Sequence, residues 1–327
     1  MSMLSFLDKF RVSAPHNTFS SILPAIFIFV FAAVFVPFAG PIFLFLLPMI
    51  LFLNGILNGT MKTSSVFFFS FFLLLVLGVF LRLDVPAIAV FTMGMTGIFM
   101  AQSVGKNYSI AKTIVYPSLF IIAAVCFYFG YDAVVSGTHP WQFVENFIAA
   151  TVRESVKFYS QMPLKAEDIS LIKDNETNII NGFIQIFPSM VIILSVLIVW
   201  INFLLGKDYL QKAGIVYPQY AALSRWKISD GLVWVFIISG ALFFIPQSGI
   251  HFISINLIFI ICFIYLLQGL AIISFVFQSK NVPAFFRYFF YFLIAVQQLL
   301  MIPIIAIGLF DIWIDFRKLI QKNQTAD

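Results

Sequence analysis

Nine apolar runs dominate the chain, at approximately 19–39, 41–59, 65–82, 86–104, 112–131, 183–205, 231–248, 252–277 and 284–310. A helix needs about 20 apolar residues to cross a hydrocarbon core of about 30 Å, and each run approaches that length. None carries Lys, Asp or Glu in its middle, and Arg287 sits near enough to an end for its charge to reach the headgroups. The runs are continuous, without the alternation of a lumen-facing strand, so helices are expected rather than a barrel. Only 10% of the 327 residues are charged and 61% are hydrophobic, 43 of them Phe. A soluble domain carries about 25% charged residues, so this chain lacks the charge to cover a water-facing surface. A soluble enzyme, a disordered chain and a disulfide scaffold are excluded together. The expected fold is an all-α polytopic transmembrane helix bundle of about nine spans, eight to ten, with one extracytoplasmic amphipathic helix.

Gly40 and Pro41 alone separate the first two runs, which predicts an antiparallel hairpin or one broken helix. Pro24, Pro37, Pro48, Pro117, Pro188 and Pro303 lie within or at the edges of runs. In a membrane bundle neighbours can satisfy the carbonyls that prolines free, so several spans are expected to be kinked. Lys9 and Arg11 precede the first run and place the N-terminus inside. Alternation then puts inside the loops with Lys62, with Lys106 and Lys112, with Lys207, Lys212, Arg225 and Lys227, and with Lys280. Nine crossings would leave the tail cations Arg317, Lys318 and Lys322 outside, against the rule. One run is therefore re-entrant or split, or the tail tolerates the wrong side.

Three segments follow. Residues 1–131 form an N-terminal bundle of about five helices, 132–182 an extracytoplasmic amphipathic helix and linker, and 183–327 a C-terminal bundle of about four helices with a short tail. Within 132–182, Trp141, Val144, Ile148, Val152, Val156 and Tyr159 recur at helical spacing, with Glu145, Arg153, Glu154 and Lys157 on the other face. This helix either lies on the bundle or lipid interface or acts as a lid over an outward cavity. Pro163 ends it, and 164–178 reads as a polar linker.

Polar residues inside spans are the first place to look for function, because each costs free energy unless paired. Asn54, Gly55, Asn58 and Gly59 repeat an Asn-Gly pair at spacing four, which suits either close helix packing or amides lining a cavity. The fourth span offers Thr92, Gly94, Thr96, Gly97 and Gln102 in the same style. Asn202, Asn256, Gln268, Gln297 and Gln298 are single amides in apolar surroundings. Candidate ligand contacts are Asn54, Asn58, Thr92, Thr96 and Gln268; candidate packing glycines are Gly55, Gly59, Gly94 and Gly97. Near the C-terminus Asp311, Asp315, Arg317 and Lys318 are expected to form an ion-pair cluster at the interface, leaving the bundle core without a buried ion pair. His16, His139 and His251 show no metal-ligand spacing, and no phosphate loop or nucleophile elbow is present. No enzymatic activity, cofactor, metal or nucleic-acid partner is expected.

Tyr265-Leu-Leu-Gln268-Gly269, the closing Gly308-Leu-Phe-Asp311-Ile-Trp313-Ile-Asp315-Phe316-Arg317-Lys318, and Arg225-Trp226-Lys227 ahead of Leu232-Val233-Trp234 resemble the YybS-like family of bacterial inner-membrane proteins. That resemblance implies a bacterial source and the cytoplasmic membrane, and supplies no catalytic residues. The N-terminal half is also similar to the substrate-binding S components of energy-coupling-factor vitamin transporters, which dock on partners through small residues. Ser21, Ala25, Ala32 and Ala33 are small, without a regular Ala-x-x-x-Ala spacing. The expected function is thus a transport protein or substrate-binding membrane subunit for a small molecule, without its own ATPase, so that any ATP-driven cycle would need a separate ATPase partner. The alternative is a scaffold that binds other inner-membrane proteins through 206–230.

Overall fold

A computed structural model describes residues 23–82, 86–163, 165–214, 224 and 226–324. Lys9, Arg11, His16, Ser21 and Arg225 lie outside the described residues, as does the start of the first run. Every regular element among the described residues is helical. In chain order these are α1 (Leu23–Phe35), α2 (Gly40–Leu57), α3 (Thr60–Leu81), α4 (Ala87–Gly105), α5 (Ile110–Val135), α6 (Pro140–Ser160), α7 (Ala166–Asp174) and α8 (Glu176–Lys212). They continue with α9 (Leu232–Phe243), α10 (Ser248–Ser279), α11 (Ala284–Val296), a 3₁₀ turn Gln298–Leu300, α12 (Met301–Ile314) and α13 (Phe316–Gln324).

Six of these helices, α2, α3, α4, α5, α8 and α10, are long and apolar enough to cross a membrane. The remaining three runs are shorter or bent. α1 has 13 described residues. α9 has 12, about 18 Å of helix against a core of about 30 Å. The run 284–310 is broken by a bend of 103° between Ala284–Ile294 and Gln298–Ile314, which would make a seventh span if both arms form one crossing. Where a polar linker was expected at 164–178, residues 166–174 form α7. Glu167 and Asp168 in its first turn and Lys173 in its last complement the helix dipole.

Cα packing divides the chain into two compact units, one of residues 1–146 with 194–221, the other of 147–193 with 222–327. In the first unit α1 and α2 double back on each other: Phe29 meets Phe43 edge-on with ring centroids 5.2 Å apart, and Gly40 abuts the Ala33 carbonyl. The hairpin turns through Phe38 at φ 62°. Ile26, Val30, Leu47, Leu51, Phe67, Leu74 and Val90 form the apolar core from α1 to α4. α2 and α4 approach closely because a glycine on one helix faces the other at each contact. A Cβ on Gly55 would stand 2.5 Å from that of Ala101, and one on Gly97 would stand 2.8 Å from the Cβ of Leu51 and 2.9 Å from the Cα of Pro48.

Pro48 breaks α2, and an amide from a distant helix mends it. Asn202 on α8 accepts from the Met49 N–H at 3.0 Å and donates to the Phe45 carbonyl at 2.9 Å. Those are the donor and acceptor of the i to i−4 rung next to the one that Pro48, lacking an N–H, cannot make, so the side chain supports the backbone beside the proline. The second unit repeats the arrangement at Pro188 of α8. Asn256 on α10 accepts from the Ser189 N–H and donates to the Gln185 carbonyl, both at 2.8 Å.

Candidate functional site

The chemistry-bearing residues named from the sequence separate between the two units. In the first, Asn54 is fully buried. It donates to the Ile50 carbonyl at 2.8 Å and accepts from Asn58 Nδ2 at 3.1 Å. Thr96 donates to the Thr92 carbonyl of its own helix at 2.7 Å, and Thr92 is buried beside it. The Asn54 and Asn58 amides and the Thr96 hydroxyl thus bond within their own segments of chain. Gly94 makes room for the ring of Phe67, whereas Gly59, at φ 89°, has open space where a Cβ would sit. Gly59 is a turn residue between α2 and α3, not part of a packing strip, since only glycine adopts that backbone at no cost.

Gln268 belongs to the second unit, where it meets Asp311 and Arg317. α10 and α12 touch through glycines: a Cβ on Gly308 would fall on the Tyr265 carbonyl and 3.0 Å from the Gly269 nitrogen, and one on Gly269 would stand 2.7 Å from Ile304 Cγ2. That approach brings Gln268 Nε2 to donate to Asp311 Oδ2 at 3.1 Å. Asp315 then takes the left-handed conformation at φ 48° and ends α12. The chain turns back, so the Phe316 N–H donates to Asp311 Oδ1 at 3.1 Å and Arg317 Nη1 to Oδ2 at 3.3 Å. Arg317 Nη2 also donates to the Trp226 carbonyl at 2.8 Å, and the Ile228 N–H donates to Gln268 Oε1 at 3.2 Å.

The expected interfacial cluster is therefore two separate pairs, and one of them is buried. Asp311 and Arg317 have side-chain exposures of 1% and 11%. This corrects the expectation of a core without an ion pair; the cause is the turn at Asp315, which linear spacing does not reveal. Burial pulls the Arg317 guanidinium below its ordinary pKa, while Asp311 and Asp315 oppose that shift. The second pair, Asp315 with Lys318 at 2.7 Å, leaves Lys318 largely in solvent. The Lys318 ammonium holds the Asp315 carboxyl below its usual range, and Asp315 raises Lys318 in return. Both oxygens of Asp311 accept hydrogen bonds, so this group is a clamp joining residues 226–228, α10 and the α12–α13 turn.

Space for a ligand lies elsewhere in the second unit. A cavity of about 530 Å³ opens between α6, α7 and the first part of α8. Ile148, Val152 and Val156 of α6 face it with Ile172 of α7 and Phe183 and Phe187 of α8. Of the α6 positions read from the sequence as an apolar face, Val144, Ile148, Val152 and Val156 are buried at 6–8% exposure, whereas Trp141 is half-buried and Tyr159 is exposed. Thr151 and Ser155 also line the cavity, yet their hydroxyls donate to the Phe147 and Thr151 carbonyls of the same helix, both at 2.8 Å. Arg153 of α6 pairs with Glu176 at the start of α8 at 3.3 Å. Among the described residues no group of three or more His, Cys, Asp or Glu side chains stands together to hold a metal ion.

A family described as a predicted membrane protein (DUF2232) matches residues 25–312. The uncharacterized protein YybS of Bacillus subtilis (strain 168) is 22% identical over 263 residues, covering 76% of this chain and 80% of that protein. No solved structure matches significantly.

Proposed function

The chain belongs to the DUF2232 family of predicted membrane proteins, and from that premise we propose that it is a transport protein or the substrate-binding membrane subunit of a transporter, without an ATPase of its own. The observation that carries this reading is the cavity beneath α6. Its volume of about 530 Å³ lies inside the range of about 300–1,000 Å³ common for small-molecule sites. The polar groups of α2 and α4 support the reading less, because they are satisfied within their own helices. Filling the cavity should abolish binding. With Ser155→Trp, an exposed position on the cavity wall, native mass spectrometry of protein extracted in mild detergent should lose a bound small molecule that the parent chain retains. Parent and variant that both appear bare would refute the reading.

The proposed topology has the N-terminus in the cytoplasm, 132–182 outside, and eight crossings. The Arg317–Trp226 bond holds the tail on the side of the loop before α9. An even number of crossings must then separate residues 226 and 317, where the runs 231–248, 252–277 and 284–310 would give an odd one. The 103° bend within 284–314 supports taking that run as the one that enters and returns. Arg317 and Lys318 then join Lys280 on the cytoplasmic side, as the positive-inside rule asks. Green fluorescent protein fused after residue 327 should fluoresce in a bacterial host and alkaline phosphatase fused there should stay inactive; the reverse pattern would exclude eight crossings.

A further inference from the structure

Resting on that reading of the α6–α8 cavity as the ligand site, we infer that its occupant is the acyl chain of a membrane lipid, whose headgroup stays at the rim. A wall selects its ligand by what it leaves unsatisfied. The cavity-lining side chains include no Asp, Glu, Lys or Arg. The hydroxyls of Thr151 and Ser155 already donate to α6 carbonyls, and the third lining hydroxyl, that of Tyr159, belongs to a residue 47% exposed. A water-borne solute with several hydrogen-bonding groups would lose its hydration there and find few replacements, at a cost of about 1–3 kcal/mol for each unpaired group. A hydrocarbon chain loses nothing of this kind and gains by contact with Ile148, Val152, Phe183 and Phe187.

The route to the bilayer is of the same character. α8 carries the back wall of the cavity through Ile179, Phe183 and Phe187, and it is itself one of the helices apolar enough to span a membrane. Phe183 is 41% exposed, and Leu194, further along the same helix, is 51% exposed. A chain can therefore pass from lipid to cavity along one helix without meeting a charge. Charge gathers instead where the headgroup would sit. Arg153 and Glu176 tie α6 to the start of α8 with exposures of 62% and 31%, and Lys157 lies one turn further along α6.

The test uses the full chain in nanodiscs of phosphatidylethanolamine and phosphatidylglycerol, with some of the phosphatidylglycerol carrying a mid-chain diazirine. After illumination, adducts should concentrate on peptides covering 147–159 and 179–190. They should fall at least fivefold in Ser155→Trp, while labelling of the lipid-exposed α3 positions Phe72 and Val79 stays unchanged. Phe183→Ala, which widens the cavity, should keep or increase the labelling. Cavity peptides labelled no more than α3, or labelling indifferent to Ser155→Trp, would overturn the inference. A polar molecule without an alkyl chain, retained in native mass spectra and lost in Ser155→Trp, would overturn the ligand class while leaving the binding reading intact. Failure of both measurements would remove both.

Discussion

Replacing Asp311 with alanine is expected to destabilise the second unit by about 3–5 kcal/mol, because it leaves the Arg317 guanidinium buried without its counter-charge. The loss reaches further than one pair. Gln268 Nε2 and the Phe316 N–H give up their acceptor at the same time, and Arg317 is left with the Trp226 carbonyl. Amide hydrogen exchange should accelerate at 226–230 and 313–318 before it does in α2 or α4, which belong to the other unit. Thermal unfolding in detergent should move to lower temperature. Removing both charges, as Asp311→Leu with Arg317→Met, should recover the larger part of the loss, since a buried ion pair replaced by apolar groups is often neutral. If the single change is silent in both measurements, the clamp contributes nothing to stability.

Gly308→Leu should have an effect of comparable size by a different route. Its Cβ would coincide with the backbone carbonyl of Tyr265, and backbone cannot rotate aside as a flexible side chain can. α10 and α12 must separate, which costs about 1–3 kcal/mol for overpacking alone. Separation also draws Gln268 away from Asp311 and adds about 1.5–3 kcal/mol for a hydrogen bond to a charged group. Gly130→Leu is the matched control: it lies on α5 with open space where its Cβ would project. Melting curves that fall for Gly308→Leu and hold for Gly130→Leu would separate close approach from any general intolerance of leucine in place of glycine. Equal falls would show that the α10–α12 contact has no special part.

Much of the architecture was legible along the chain. The helices follow the apolar runs, and the spacing of Val144, Ile148, Val152 and Val156 marked in advance the face that α6 buries. Gly55 and Gly97 signalled a close crossing of α2 and α4. What stayed hidden depends on pairs far apart in sequence. Nothing local to Asn202 points to a broken rung in α2, more than 150 positions earlier. Asp311 and Arg317 read as part of one interfacial ion-pair cluster because their buried pairing depends on one left-handed residue, Asp315. The cavity was expected among the amides of the second and fourth spans, yet those amides and hydroxyls close on their own helices. Periodicity reports which face of α6 is apolar; it does not report whether the neighbouring surface fits that face tightly or leaves a void.

The two amides that bridge Pro48 and Pro188 constrain inheritance as well as shape. Substitution of Pro48 by a residue with an N–H would let the helix close its own ladder and make Asn202 redundant; loss of Asn202 alone would strand the Met49 N–H and the Phe45 carbonyl in an apolar setting. The same holds for Pro188 with Asn256. Each couple is an epistatic unit, in which the amide is required with the proline and dispensable without it. α8 belongs to both couples, supplying the proline of one and the amide of the other, so two of its positions are tied to residues on α2 and α10.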